Sequence, residues 1–408
     1  MTDRFEVPSG LKKTGLVLLA LGIISVIAGA LCFFNKGEAE LTRFWMGLMQ
    51  NSIFFLFMAV SSVFIQAAAA LAQGGWIVAY KRVPEAIGAN VWVFGAIVLV
   101  VLFSIVFGLG DHNPIYHWTN GGKDHDGNIV DEVIAGKSAF LNKGMFVGFS
   151  IAAVALWSYF GIKFRNMSLA QEKAPKNSTK IYWAAITVSG AFMVVYGLTM
   201  MSTTPWLWIM SIDAHWYSTL FSWHVFAGAF VSGMAMILLW TVYLKNQGNL
   251  VLMNKEHLHD LGKFMFAFSI FWTYTWFAQY MLIWYGNIPE ETVYYNTRQN
   301  GAYSFPFYLN IVVNFVGPIL ILMSRPSKRN YFTVVFMACI IIFGQWLNLY
   351  LLTYPGPTGN NWHISWYEIG VFAGFAGLMI LRVSKTLASA DLIPHNHILL
   401  KETVVHLS

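Results

Sequence analysis

The sequence predicts an all-α integral membrane protein with ten transmembrane helices, and three observations lead there. Ten apolar stretches are each long enough to cross a bilayer, a crossing that takes about 20 mostly apolar residues. The 408 residues are 57% hydrophobic and only 11% charged, where a soluble domain carries about a quarter. The basic residues also sort by side. With connections alternating across the membrane, nineteen of the 25 Lys and Arg lie with the termini and six lie opposite. By the positive-inside rule both termini are cytoplasmic, as in an inner-type membrane protein, and the net charge of +6 is a topology signal rather than a nucleic-acid footprint.

Without water to satisfy backbone amides, each span must be helical, and the short alternating segments of a β-barrel do not occur. The spans fall at 14–34, 44–71, 91–109, 143–162, 181–201, 217–244, 261–284, 307–323, 331–352 and 367–387. The first begins after Lys12–Lys13 like a secretory signal. Its apolar run is longer than a signal core, however, and Leu31 precedes Cys32 where a lipoprotein signal needs a small residue, so it is read as retained. The chain reads as one membrane domain, 1–408. Helices two to five (44–201) and six to nine (217–352) form two four-helix bundles, with 14–34 and 367–387 flanking them. Two connections stand out. The stretch 110–142 is acidic, with Asp111, Asp124, Asp126, Asp131 and Glu132, and 285–306 carries Glu290, Glu291 and several tyrosines. Each reads as a docking surface, a lid or a plain solvated loop.

Haem iron in a membrane cytochrome needs histidine pairs on facing helices. Of eleven histidines only His224 lies well inside a span. Cys32 and Cys339 both fall within spans, and neither a C-x-x-C-H run nor a glycine-rich phosphate loop is present. The expectation is that this chain binds no cofactor or metal of its own.

The polar residues at depth are then the candidates, because a charge at mid-bilayer costs about 2.5–3.5 kcal/mol. His224 is followed by Gly228 and Ser232, so it faces a small-residue stripe where another helix can approach. It reads either as an interhelical hydrogen-bonding group or as a proton relay. Glu368 opens helix ten, as an interfacial acid or the mouth of a proton path. Gln345 and Asn348 share a face of helix nine, and Thr275 and Gln279 share one of helix seven. Asn314 precedes Pro318, which kinks helix eight. Such amides serve as interhelical glue or line a hydrated half-channel. Lys263 reads as a basic flank or an inner gate. Before helix six, Asp213 and His215 stand in Ser211-Ile212-Asp213-Ala214-His215-Trp216-Tyr217, an acid–base pair at the outer interface. Asp213 also fits an N-cap for helix six.

These residues carry a resemblance. The run from Asp213 to Phe221, Phe226-Ala-Gly-Ala-Phe-Val-Ser-Gly233, His259-Asp-Leu-Gly-Lys263, Phe271-Trp272, Gln279-Tyr280, Leu282-Ile-Trp-Tyr285 and Asn287-Ile-Pro-Glu-Glu-Thr292 resemble the F subunit of bacterial alternative complex III. That assembly is a quinol:cytochrome c oxidoreductase, and the subunit is similar to polysulfide-reductase-type membrane subunits. The similarity is densest over 204–292. It implies ten helices, no prosthetic group on this chain, and a part in proton translocation. The implied partners are an iron–sulfur subunit, c-type cytochromes and related membrane subunits, with quinol bound in a partner, alongside membrane lipids and no nucleic acid. Asp213, His215, Lys263 and Gln279 carry over from matched motif positions. The family often has proline between the acid and the histidine, where this chain has Ala214. His224 and Glu368, with Gln345 and Asn348, rest on burial alone. A secondary transporter and a purely structural anchor remain alternatives; the first would show interrupted helices in corresponding halves, and only helix eight has an internal proline.

Overall fold

The computed structural model describes residues 4–34, 36–109, 113–123, 128–175, 178–359 and 364–406. Among them the chain is helical throughout, without a strand. Its long helices are α1 (Ser9–Phe33), α2 (Glu38–Leu71), α3 (Arg82–Gly108, bent at Ala89–Asn90), α4 (Lys143–Lys173), α5 (Lys180–Trp208), α6 (Leu220–Asn246), α7 (Lys255–Gly286), α8 (Gly301–Leu322), α9 (Tyr331–Thr353) and α10 (Trp366–Leu387). All but α7 are both long and apolar enough to cross a membrane, nine among the described residues, and the chain is a multi-pass membrane protein. The 32 residues of α7 reach about 48 Å at 1.5 Å each; its Thr, Tyr, Trp and Gln side chains hold its hydropathy down.

Several helices outrun the spans read from hydropathy. α2 starts at Glu38 rather than 44, α4 continues to Lys173 rather than 162, and α7 starts at Lys255 rather than 261. Hydropathy marks the hydrocarbon layer, whereas the helical hydrogen-bond ladder runs on until a cap stops it. Asn142 caps α4 through the Met145 amide, and Asn254 caps α7 through the Glu256 and His257 amides. The connection 285–306 is also ordered, by the helix Pro289–Gln299. In 110–142 the short helices His117–Asn120 and Glu132–Gly136 appear; Asp111, Asp124 and Asp126 lie outside the described residues.

α2 and α6 run against each other at the centre. Around α2 stand α3, α4, α5, α9 and α10, while α6 also packs on α7 and α9. α1 lies along α10, and glycine explains how closely. A methyl placed on Gly22 would sit inside the backbone of Gly374, and one on Gly374 would come within 2.6 Å of the Gly22 Cα. Small residues let backbones approach where no hydrophobic drive separates helix from lipid. Tyr367 of α10 then lies between Gly29 of α1 and Gly47 of α2 and donates to the Phe44 carbonyl at 2.8 Å.

Ion pairs tie the helix ends. Arg43 of α2 donates from Nε to Glu368 Oε1 at 2.9 Å and from a second nitrogen to Oε2 at 3.1 Å and the Ser365 hydroxyl at 2.6 Å. Glu368, fully buried, also accepts from the Ser365 amide at 2.9 Å and so completes the N-terminal capping box of α10. At the other end, Arg82 pairs with Glu85 at 2.8 Å and with Glu172 of α4 at 2.7 Å. The chain beyond α10 folds back under this basic end. Arg165 holds the Ser389 hydroxyl at 2.8 Å, and the helix Leu400–Val404 packs on the turn Gly75–Tyr80.

The glycine interlock makes a direct prediction. Gly22→Leu should lower the unfolding free energy by about 1–3 kcal/mol, seen as an earlier thermal transition in detergent. Gly10→Leu, where an added side chain meets nothing within 4 Å, should leave the transition in place.

Candidate functional site

Four helices place polar side chains at one buried point. α6 contributes His224, α7 Thr275, α8 Asn310 and Asn314, and α9 Gln345 and Asn348, all 5% exposed or less. The four amides close a ring with a single sense. Asn310 Nδ2 donates to Asn348 Oδ1 at 3.4 Å, Asn348 Nδ2 to Gln345 Oε1 at 3.4 Å, Gln345 Nε2 to Asn314 Oδ1 at 2.9 Å, and Asn314 Nδ2 to Asn310 Oδ1 at 2.7 Å. Each amide thereby both donates and accepts, which removes the cost of an unpaired buried group, about 1–3 kcal/mol apiece.

Local structure explains the register. Pro318 has no N–H to offer the Asn314 carbonyl four residues back, and α8 widens into a π-turn over Val312–Val316. Single π-turns of this kind recur at functional sites. Gly344 supplies the room: a methyl there would come within 2.5 Å of Asn314 Oδ1, and one on Gly228 would collide with Gln345 Oε1. The small-residue stripe below His224 therefore receives the amide of Gln345.

His224 joins the ring at Asn348. Its Nε2 lies 3.3 Å from Asn348 Oδ1 and its Nδ1 lies 3.4 Å from the Thr275 hydroxyl, with the Trp272 ring beside it. Thr275 donates to the Trp272 carbonyl at 2.9 Å and then accepts from His224, or turns its proton to Nδ1 and donates there. In the first arrangement both imidazole nitrogens face acceptor oxygens.

Beside this ring, on the side away from the basic end, lies a small buried cavity. Gln279, His224, Asn310 and Asn348 line its floor, and Tyr294, Tyr295 and Arg298 its mouth. Arg298, 3% exposed, donates to Asp213 Oδ2 at 2.8 Å, to the Leu351 carbonyl at 2.9 Å and to the Tyr294 carbonyl at 2.8 Å. Its guanidinium lies over the Tyr294 ring at 3.4 Å, and that ring stacks on Trp216 at 3.8 Å. Toward the basic end α9 and α7 carry Val334, Met337, Ile341 and Met265, all fully buried. Gln345 stands fourteen residues from the start of α9, about 21 Å along its axis, so the polar cluster occupies the half nearer the Arg298 mouth.

The other candidates lie apart. Asp213 does not cap α6, which begins at Leu220; it ends the turn Met210–Asp213 and its carboxylate belongs to Arg298. His215 turns away from Asp213 and pairs with Asp131 of the 110–142 connection at 2.6 Å, half exposed. Lys263, also half exposed, pairs with Asp260 at 2.6 Å, and Asp260 meets His406 of the C-terminal segment at 2.5 Å. Glu368 is taken up by Arg43. The structure thus unites His224, Thr275, Gln279, Asn314, Gln345 and Asn348, puts Asp213 at the mouth above them, and sets His215, Lys263 and Glu368 in separate contacts. Asn310 and Arg298 were missed in the sequence. Asn310 stands four residues before Asn314 on the same helical face, and Arg298 is a lone basic residue in a connection on the side poor in Lys and Arg. No group of three or more His, Cys, Asp or Glu able to hold a metal ion gathers among the described residues.

Removing Asn348 would unpair three neighbours at once. Asn348→Leu should cost about 1–3 kcal/mol for each group left without a partner, more than Asn51→Leu, whose amide bonds one carbonyl and one indole. Denaturation in mixed micelles would rank the two.

Compared with protein-family models this chain matches none, and comparison with curated proteins finds no match.

Proposed function

We propose that this chain is an integral membrane subunit of a quinol-oxidising respiratory complex of the alternative complex III type, and that it contributes a proton path. In that reading α7 is the tenth span, α2–α5 and α6–α9 are two four-helix bundles with α1 and α10 alongside, both termini are cytoplasmic, and the Arg298 mouth opens on the outer side. The c-type haems, iron–sulfur clusters and quinol site would belong to partner subunits, and His215 with Asp131 would lie on a surface that meets one of them. The observation that carries the reading is the buried amide ring with one histidine on it, reached from one face through the Arg298 cavity.

The chemistry follows from which groups can change protonation. Amides orient and polarise but hold their protons, so in this cluster the transfer falls to His224. With both nitrogens facing acceptors, the arrangement suits an imidazolium, which donates twice. A neutral ring that keeps its proton on Nδ1 needs a donor at Nε2, and Asn348 can offer one by turning its amide over. That turn reverses the sense of all four amides. It also gives up the bond from Asn314 Nδ2 to the Asn310 carbonyl, 3.1 Å in this structure, worth about 0.5–1.5 kcal/mol. For a ring that keeps its proton on Nδ1, loss of the Nε2 proton and ring direction are thereby coupled, a two-state element of the kind a gated relay requires; a ring protonated on Nε2 keeps the observed sense, with the Thr275 hydroxyl turned to Nδ1.

The reading is tested in the assembled complex. His224→Leu and Asn314→Leu, one on the titrating group and one across the ring from it, should each at least halve the protons moved per quinol oxidised, with haem content unchanged. Unaltered proton stoichiometry in both would leave only an anchoring role. Purification of the chain in mild detergent without any c-type cytochrome or iron–sulfur protein would remove the respiratory assignment itself.

A further inference from the structure

At the basic end, far along the chain from the His224 cluster, two adjoining clefts, each enclosing about 50 Å³, open between α2, α4, α5 and the segment after α10. Ala70, Phe164, Ile181 and Ala185 give them apolar walls, and Ser189 marks their depth, nine residues or about 14 Å up α5 from its start. They run from the polar interface to the level of acyl chains.

The polar groups at the mouth are unusual because they hold atoms without a hydrogen-bond partner among the described residues. Glu85 is fully buried, and its Oε1 accepts no hydrogen bond although Oε2 is held by Arg82. Gln171 Oε1 is likewise buried and unpaired; its nitrogen is occupied by the Ser178 carbonyl at 2.9 Å. Lys81 lines both cavities, and its ammonium makes no hydrogen bond or ion pair among the described residues. Burial draws its pKa below the ordinary value, opposed by the charge of Glu85. His397 closes the mouth. Its Nδ1 accepts from the Leu399 amide at 3.2 Å, so its proton sits on Nε2. Burial first, then the charges of Lys81 and Arg82, push it down to about 3, and the ring is neutral at any physiological pH.

Two donors, Lys81 and His397, thus stand beside two acceptors, Glu85 and Gln171, over an apolar slot. Unpaired buried polar atoms call for a ligand that satisfies both kinds. A phosphate answers the donors, and basic pockets between transmembrane helices are known to take lipid head groups. A charged N–H donor answers a bare carboxylate oxygen better than a neutral hydroxyl does. We propose that this cavity binds one phospholipid of the phosphatidylethanolamine class, its phosphate between Lys81 and His397, its ammonium against Glu85 and Gln171, and an acyl chain along α5. The trimethylated head of phosphatidylcholine has no N–H to give, and phosphatidylglycerol offers only hydroxyls.

Native mass spectrometry of the full chain decides the matter after exhaustive delipidation and incubation with equal amounts of the three lipids. One phosphatidylethanolamine should be retained per chain, with the other two held at least about tenfold less well. Lys81→Gln, which breaks no hydrogen bond or ion pair among the described residues, should weaken that retention at least about tenfold. Gln171→Leu, which leaves Lys81 and its phosphate contact in place, should weaken phosphatidylethanolamine while leaving the residual phosphatidylglycerol signal unchanged. Equal retention of phosphatidylcholine overturns the ammonium contact, preferential retention of phosphatidylglycerol overturns the choice of head group, and indifference to Lys81→Gln overturns the site.

Discussion

Inside a bilayer every polar group must find its partner within the protein, and the rest of this structure is arranged around the place where six such groups meet. The His224 cluster draws one or two side chains from each of α6, α7, α8 and α9, so these four helices cannot slide or rotate independently. A shift of one residue on any of them would turn its amide toward lipid. Apolar packing alone specifies helix rotation weakly, because a Leu, Ile or Phe is nearly as content against an acyl chain as against a neighbour. The ring adds the directional constraint that packing lacks. α2 and α6, buried on nearly all sides, then transmit that alignment to the first half of the chain through Gln50 and Asn51, which bond the Trp346 carbonyl and indole at 3.0 and 2.9 Å.

Charged groups do a different task, and they do it at the two ends. Arg43, Arg82 and Arg298 are each more than four-fifths buried, and each holds at least one carboxylate. A buried pair contributes little net stability against a well-packed apolar pair, yet losing one member strands the other at about 3–5 kcal/mol. Such pairs therefore fix geometry more than they add free energy. Arg43 sets the start of α10 against α2. Arg82 ties the start of α3 to the end of α4. Arg298 binds three separate segments, Pro289–Gln299, the end of α9 and the turn at Asp213, and so shapes the mouth above the polar ring.

Much of the fold was legible in the sequence because hydropathy and basic flanks report directly on the hydrocarbon slab. Helix ends were not, since caps such as Asn254 and Asn142 lie outside the apolar runs that mark the spans. The site was legible in part. Burial cost alone singled out His224, Gln345, Asn348 and Asn314, and the three-residue spacing of Gln345 and Asn348 put them on one face. Periodicity within one helix says nothing about rotation relative to another, and so it could not show that these faces converge. Glu368 illustrates the converse. Its depth and charge made it a candidate, yet its partner Arg43 lies 325 positions away, and no local pattern joins them. Pro318 announced a break in α8 but not its form, a π-turn that swings Asn314 toward Gln345.

Whether such a cluster is glue or machinery turns on access. An amide ring sealed on all sides would serve rigidity only, because interhelical amides of that sort need no water. Here the seal is one-sided. Fully buried apolar residues, Val334, Met337, Ile341 and Met265, occupy α9 and α7 toward the basic end, while the side toward Arg298 holds a small cavity lined by Gln279 and by His224 itself. The guanidinium at that mouth is paired with Asp213, so it acts by shaping the opening rather than as a net charge. In the proposed path a proton arrives there by exchange along hydrogen bonds. The asymmetry also sets what motion a complete path demands. The apolar side must admit water or swing His224 across it at some stage, and the helix suited to that is α8, where the π-turn and Pro318 have already loosened the hydrogen-bond ladder beside Asn314.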